Sequence, residues 1–303
     1  MPTIDCLTLD VFTDRPLSGN QLAVVPDATG LSAALMQKLA NEFSLSETTF
    51  VMPPDDGQSE FMVRIFTPTQ ELPMAGHPTI GTAYALAHLG RLSPDQHSTL
   101  FQLGIGPTRV TLDWHDTQLG AAWMTQPAAE FGACPGRLDG LAAALRLSAA
   151  DLNVPALPVQ VVSTGVPFLY VPCQSRSVVD AAELDRQKLV AWCEQAGLGE
   201  LPVYLFSLAP ESDDALTYSR MFAPVLGVAE DPATGGASGP LMAYLVHYGM
   251  ASLPTHDVCV NVQGVKMGRP SRILMRMSDS EAAKGTVMVG GQSVVICEGR
   301  LYL

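Results

Sequence analysis

The second half of the chain echoes the first, and that echo narrows the available folds more than any other feature. Arg64-Ile65-Phe66-Thr67-Pro68 reappears as Arg220-Met221-Phe222-Ala223-Pro224. Gly76-His77-Pro78, opening a segment that closes on His88-Leu89-Gly90, is echoed from Gly235 to His247-Tyr248-Gly249. The offset is 156 residues at the arginine and 159 at the closing histidine, so the loop between gains three residues. A β-rich segment precedes each block, at 49–64 and at 203–220. Two generic strand–helix units of shared composition would be the plainer explanation, but the matched order of elements favours duplication. The offset is far too long for a solenoid. It predicts two related domains of about half the 303-residue chain each, long enough to bury separate cores. Two such domains are expected to form a cleft, a preferred place for small-molecule sites.

Local patterns place the elements. Ile4, Leu7, Leu9 and Val11 suggest a first strand, Leu22–Val25 a second, and Gly19-Asn20 the turn between them. Leu35, Leu39 and Phe43 recur on one face of a predicted helix over 31–43, with Ser32 as its N-cap. The runs 48–52 and 61–66 read as a hairpin. Thr79–Leu89 reads as a short helix, apolar all round and therefore buried, with Pro78 in its first position and Gly90 as its stop. Residues 98–125 read as further strands, and 127–158 as the crossover between domains.

Composition excludes several classes. The net charge of −13 argues against nucleic-acid binding and against a polybasic membrane surface. The six cysteines contain no C-x-x-C pair and are too sparse for a disulfide framework. No apolar run reaches the length of a membrane span, and the first residues lack a signal-peptide pattern. A cytoplasmic location is expected. The six histidines show no metal-ligand spacing, and neither G-x-G-x-x-G nor a P-loop occurs, so no metal or organic cofactor is implied.

Three polar residues stand out. Glu47 sits between the first helix and a strand, where a carboxylate suits proton transfer. Ser44-x-x-Glu47 also fits a capping box, although Thr48-Thr49-Phe50-Val51 is a poor helix start. His77 lies at a helix start, where unpaired N–H groups favour a carboxylate and an imidazole can exchange a proton, or it is a cap or core histidine. Asp231 opens Asp231-Pro232-Ala233-Thr234-Gly235-Gly236. It could cap a helix, but the glycines favour an anion-binding loop before a helix from about Gly239.

At these motifs the sequence resembles the phenazine-biosynthesis PhzF-type isomerase family, within the diaminopimelate-epimerase-like superfamily. The resemblance runs from Val11-Phe12-Thr13 and Gly19-Asn20 through Ser46-Glu47-Thr48-Thr49-Phe50, Ala75-Gly76-His77-Pro78 and Ser163-Thr164-Gly165. It closes with Glu230-Asp231-Pro232-Ala233-Thr234-Gly235, Gln263-Gly264, Gly268-Arg269-Pro270-Ser271 and Val289-Gly290-Gly291. It implies an α+β fold of two pseudo-symmetric domains, each a curved, mostly antiparallel sheet wrapped around a central helix. The first would hold 1–126 and 287–303, the second 127–286. It implies a homodimer and a cofactor-free isomerisation of a hydroxylated dihydro-anthranilate. Glu47 would be the proton shuttle, with His77 and Asp231 orienting substrate and assisting transfer, and Asn20, Gly76, Gly235 and Gly236 contacting it. The family often has Ser where this chain has Gly236, and Ser238 lies two residues on. The epimerase cousins use a cysteine near each helix start, where this chain has Ala75 and Thr234.

The expected activity is therefore isomerisation of a small anionic, carboxylate-bearing metabolite, with Glu47, His77 and Asp231 at equivalent edges of the cleft. Epimerisation or racemisation next to a carboxylate, with Glu47 and Asp231 as opposed acid and base, is one alternative. A non-catalytic metabolite-binding protein of the same fold is another. Because the overall field repels anions, attraction must come locally from helix starts and Gly-rich loops.

Overall fold

The computed structural model describes residues 3–208, 214–250, 258–278 and 286–303. The chain divides into two compact units, 1–125 with 289–303, and 126–288.

The first unit begins with β1 (Thr3–Val11), β2 (Asn20–Val25), α1 (Ala33–Phe43), β3 (Glu47–Met52), β4 (Phe61–Phe66) and β5 (Glu71–Leu72). It continues with α2 (Gly76–His88), β6 (Ser98–Leu103), β7 (Gly106–His115) and β8 (Gln118–Gln126). The second holds β9 (Glu130–Phe131), α3 (Asp139–Ala144), β10 (Gln160–Ser163), β11 (Pro167–Pro172), α4 (Arg176–Ala181) and α5 (Arg186–Gln195). There follow β12 (Val203–Ser207), β13 (Thr217–Ala223), β14 (Val228–Asp231), α6 (Gly235–His247), β15 (Cys259–Gln263) and β16 (Ser271–Met277). Strands β17 (Val287–Gly291) and β18 (Ser293–Tyr302) end the chain, and β18 pairs antiparallel with β1.

The repeat reaches further than the sequence echo. Along β1-β2-β3-β4-β6-β7 the pairings run antiparallel, parallel, antiparallel, parallel, antiparallel. Along β10-β11-β12-β13-β15-β16 they run in the same order. Each parallel step needs a crossover: α1 joins β2 to β3, and α2 lies between β4 and β6. The short strands β5 and β14 hang antiparallel on β4 and β13, each just before a helix.

Each unit buries its helix. Residues 76–86 of α2 are all buried, and the helix packs on β1, β2, β3, β7 and β18. In α6 Gly235 and the run 237–245 are buried. Such helices carry little amphipathic signal because every face meets a sheet. Helix α1 follows the surface pattern instead: Ser32 accepts from the Leu35 N–H, and Met36, Leu39 and Ala40 pack with Phe50 and Phe66.

Two helix starts differ from expectation. Helix α2 begins at Gly76, so Pro78 is its third residue, where a missing N–H still costs no intrahelical bond. Helix α6 begins at Gly235 instead of near Gly239. Burial of its first turns overrides the poor helix propensity of Gly235, Gly236 and Gly239. Among the described residues no helix is long and apolar enough to cross a membrane.

Candidate active site

The first unit gathers Asn20, Ser46, Glu47 and His77. Gly19 turns the chain at φ +66, with no room for a Cβ against the Val11 carbonyl, and so starts β2 at Asn20. Helix α1 stops at Ser44 in the left-handed region. Ser44 is thus a C-cap and Glu47 opens a strand, so the capping-box alternative does not hold. Parallel pairing sets Leu22 opposite Glu47, which carries Glu47 past the start of β2 toward the first turn of α2.

The contacts form a chain. Ser46 Oγ donates to Asn20 Oδ1 at 3.1 Å. That turns the amide N–H toward His77 Nδ1, 3.3 Å away, which must accept. A neutral imidazole then carries its proton on Nε2, the nitrogen 3.3 Å from Glu47 Oε2. Burial pushes the imidazole down to about 3, against a smaller opposing contribution from the Gln21 backbone. His77 is therefore neutral, and its Nε2 lies 3.3 Å from the buried Oε2 of Glu47 without a hydrogen bond between them.

This depression makes a prediction. The unfolded histidine titrates near 6.5 and the folded one near 3. Between these values the unfolded chain binds a proton that the folded chain refuses. The associated stability is complete above about pH 6.5 and is lost as pH falls, with a slope approaching about 1.4 kcal/mol per pH unit. His77→Asn is expected to flatten this acid limb in urea titrations between about pH 4.5 and 7.5; a limb as steep as wild type would contradict the assignment.

At the start of α2 the cap is Ala75, which supplies no side-chain hydrogen bond to the first turn. The same holds for Thr234 ahead of α6. Backbone N–H groups at such ends favour an anion, which suits Gly76 and Gly235 as binding residues.

In the second unit Asp231 ends β14, and its Oδ2 accepts from Thr234 Oγ1 at 2.5 Å. Gln263 holds the loop between them. Its Nε2 donates to the Asp231 carbonyl at 2.7 Å and to Thr234 Oγ1 at 3.0 Å, while its Oε1 accepts from the Thr234 N–H. Behind Gln263, Tyr204 donates to Oε1, and Asn261 donates to the Tyr204 hydroxyl. Ser238 is fully buried and donates to the Thr234 carbonyl, so it faces this network and does not replace a serine at 236. Gly236 sits in the first turn of α6, where an added Cβ meets nothing within 4 Å.

Three contributors lie in motifs to which the sequence alone assigned no role. Ser46 and Gln263 act through neighbours, and Gln263 is 29 residues from Thr234. The third is a repeated fork. Arg64 grips both oxygens of Glu71, and Arg220 both oxygens of Glu230, each at 2.7–2.9 Å. Each fork pins a short strand just before a helix start. The spacings, 7 and 10 residues, place the three-residue gain between Arg220 and Glu230, a signal present in the sequence.

The acidic groups do not occupy equivalent positions. Phe50 faces Arg64 and Leu205 faces Arg220, so Pro202 is the counterpart of Glu47. Aligning Glu71 with Glu230 makes Leu72 the counterpart of Asp231. The duplicated scaffold thus carries its carboxylates asymmetrically. Among the described residues no three His, Cys, Asp or Glu side chains group as a metal site.

Comparison with known proteins adds four findings. A family model described as phenazine biosynthesis-like protein matches residues 9–299. A trans-2,3-dihydro-3-hydroxyanthranilate isomerase of Pseudomonas aeruginosa is 34% identical, over 98% of this chain and 99% of the relative. Among solved structures, a Bacillus anthracis PhzF-family protein superposes with a TM-score of 0.90 at 27% identity over 100% of both chains. A predicted epimerase of Pseudomonas aeruginosa gives 0.81 at 34% over 99% of both.

Proposed function

The chain belongs to the phenazine biosynthesis-like family and is an isomerase, and from that premise we propose that it moves a proton within a small carboxylate-bearing metabolite, with Glu47 as the shuttle and no cofactor. The observation carrying this reading is the 3.3 Å approach of half-buried Glu47, at the start of β3, to buried His77 in the first turn of α2. His77 Nε2 lies beside Glu47 Oε2, and the carboxyl serves the substrate. Glu47 takes a proton from a carbon acidified by its unsaturated or carboxyl neighbour and returns it further along the conjugated system. The substrate carboxylate is matched by the backbone N–H groups at the start of α2, at Gly76, with Asn20 beside them. Asp231, with Gly235 and Gly236 at the start of α6, takes the assisting role that the family resemblance gives it. The asymmetry of the carboxylates favours one shuttle over two opposed bases.

The test offers trans-2,3-dihydro-3-hydroxyanthranilate and pure amino-acid enantiomers. Change in the absorbance of the conjugated compound supports the proposal. Change in optical rotation with the enantiomers alone would assign an epimerase. Binding without either reaction would assign a metabolite-binding protein.

Gly236→Ser tests the departure from the family pattern. The site has room for the side chain, and serine is the better helix former by a few tenths of a kcal/mol. The thermal midpoint is expected to hold or rise, and kcat/KM for the dihydro-anthranilate to increase. A fall in both would show that Gly236 is required as glycine.

A further inference from the structure

The polar groups around Asp231 form one directed chain of hydrogen bonds. The Asp231 carbonyl can only accept and the Thr234 N–H can only donate, so together they fix which end of the Gln263 amide is nitrogen and which is oxygen. Tyr204 must then donate to Gln263 Oε1, and its own oxygen accepts from Asn261 Nδ2. Asn261 Oδ1 in turn accepts from the hydroxyls of Thr217 and Ser219. At the other end, Thr234 Oγ1 accepts from Gln263 Nε2 at 3.0 Å, which leaves its single hydrogen for Asp231 Oδ2 at 2.5 Å. A carboxyl oxygen that receives this hydrogen cannot carry one of its own. Tyr204, Asn261 and Gln263 are wholly buried, where each polar group depends on its protein partner.

The fold does not require this chain, because the first unit builds the same pairings with apolar side chains. Phe61 pairs with Phe101 as Thr217 pairs with Asn261, and Phe61 and Thr217 each lie three residues before the matched arginine. Continuing both registers, Val63 stands for Ser219 and Leu103 for Gln263. Leu72 and Ala75 stand for Asp231 and Thr234. One bond is common to both units: Thr79 Oγ1 donates to the Ala75 carbonyl as Ser238 Oγ does to that of Thr234. That bond belongs to the scaffold. The others occur only in the unit that carries Asp231, although a buried polar network is costly wherever it is incomplete and an apolar core is not.

We propose that Thr234 is a positioning residue, aimed by Gln263 so that its hydroxyl donates to Asp231 and holds that carboxylate as a fixed acceptor. The inference rests on the assisting role proposed for Asp231. Crystal structures of Thr234→Val and Thr234→Ser test the positioning without any substrate, with Thr234→Ala as a second variant lacking the hydroxyl. Thr234→Ser keeps the hydroxyl and is expected to leave the Asp231 carboxylate in place. Thr234→Val keeps the shape without the hydroxyl and is expected to release the carboxylate to another rotamer. An unmoved carboxylate in Thr234→Val and Thr234→Ala would overturn the proposal. Kinetics with trans-2,3-dihydro-3-hydroxyanthranilate test the consequence. Thr234→Val is expected to lower kcat/KM about tenfold or more, and Thr234→Ser to stay near wild type. Adding Thr234→Val to Asp231→Asn should cost little further, because one residue acts through the other. Losses that multiply, or Thr234→Ser as impaired as Thr234→Val, would overturn the proposal. A wild type that does not turn over this compound would instead overturn the proposed reaction, and a fully active Asp231→Asn the role of Asp231. In both cases the crystal structures still decide whether Thr234 fixes the carboxylate.

Discussion

Glu47→Gln is expected to cut turnover of the isomerised substrate by about a thousandfold or more while the protein remains folded. A positioned acid–base group contributes about 10² to 10⁴ in rate, and the amide can neither accept nor return the proton. The replacement keeps the shape of the side chain beside His77. It also removes a charged group from a side chain only 16% exposed, next to a neutral imidazole. The thermal midpoint is therefore expected not to fall, since functional groups held away from water commonly cost stability. Activity within tenfold of wild type would remove Glu47 from the reaction.

Gly264→Ala is expected to be the most destabilising single methyl addition around the Asp231 loop, costing about 3 kcal/mol. Gly264 has φ +78, and a Cβ there would press on the carbonyl oxygens of Arg269 and Pro232. The left-handed backbone costs an alanine about 1–2 kcal/mol, and forcing atoms into packed space about 1–3 more. Both obstructing atoms are backbone, so relief must move Pro232, the neighbour of Asp231. Gly268, in the same turn at φ +72, has open space around its absent Cβ. Gly268→Ala should cost only the backbone part. Urea titration compares them, and equal losses would show that the close approach does not matter.

Much of the scaffold was legible because the repeated signals are local. The Arg-x-Phe strands, the all-apolar helices and the glycine stops each lie within a short window, and their order revealed a duplication that the strand pairings carry across both units. Helix α6 was misplaced because Gly235-Gly236 reads locally as a breaker, while burial of the turn decides its conformation. Glu47 was found from its position between helix and strand, although its capping-box alternative ended only when Ser44 proved to be a left-handed C-cap. The asymmetry of Glu47 and Asp231 depends on strand register, which no window of sequence displays. The reach of Gln263 to Asp231 and Thr234, and the burial of Ser238 behind them, arise from the pairing of β13 with β15 and the packing of α6. Those contacts join residues too distant in sequence for motif reading.

The most direct test of Glu47 as proton carrier is NMR of the product formed in D2O by wild type and by Glu47→Gln. Wild type is expected to place solvent deuterium at the carbon that gains the proton, and the variant to form neither product nor exchanged substrate at a measurable rate. Product from Glu47→Gln at the wild-type rate, with the same deuterium content, would contradict the account.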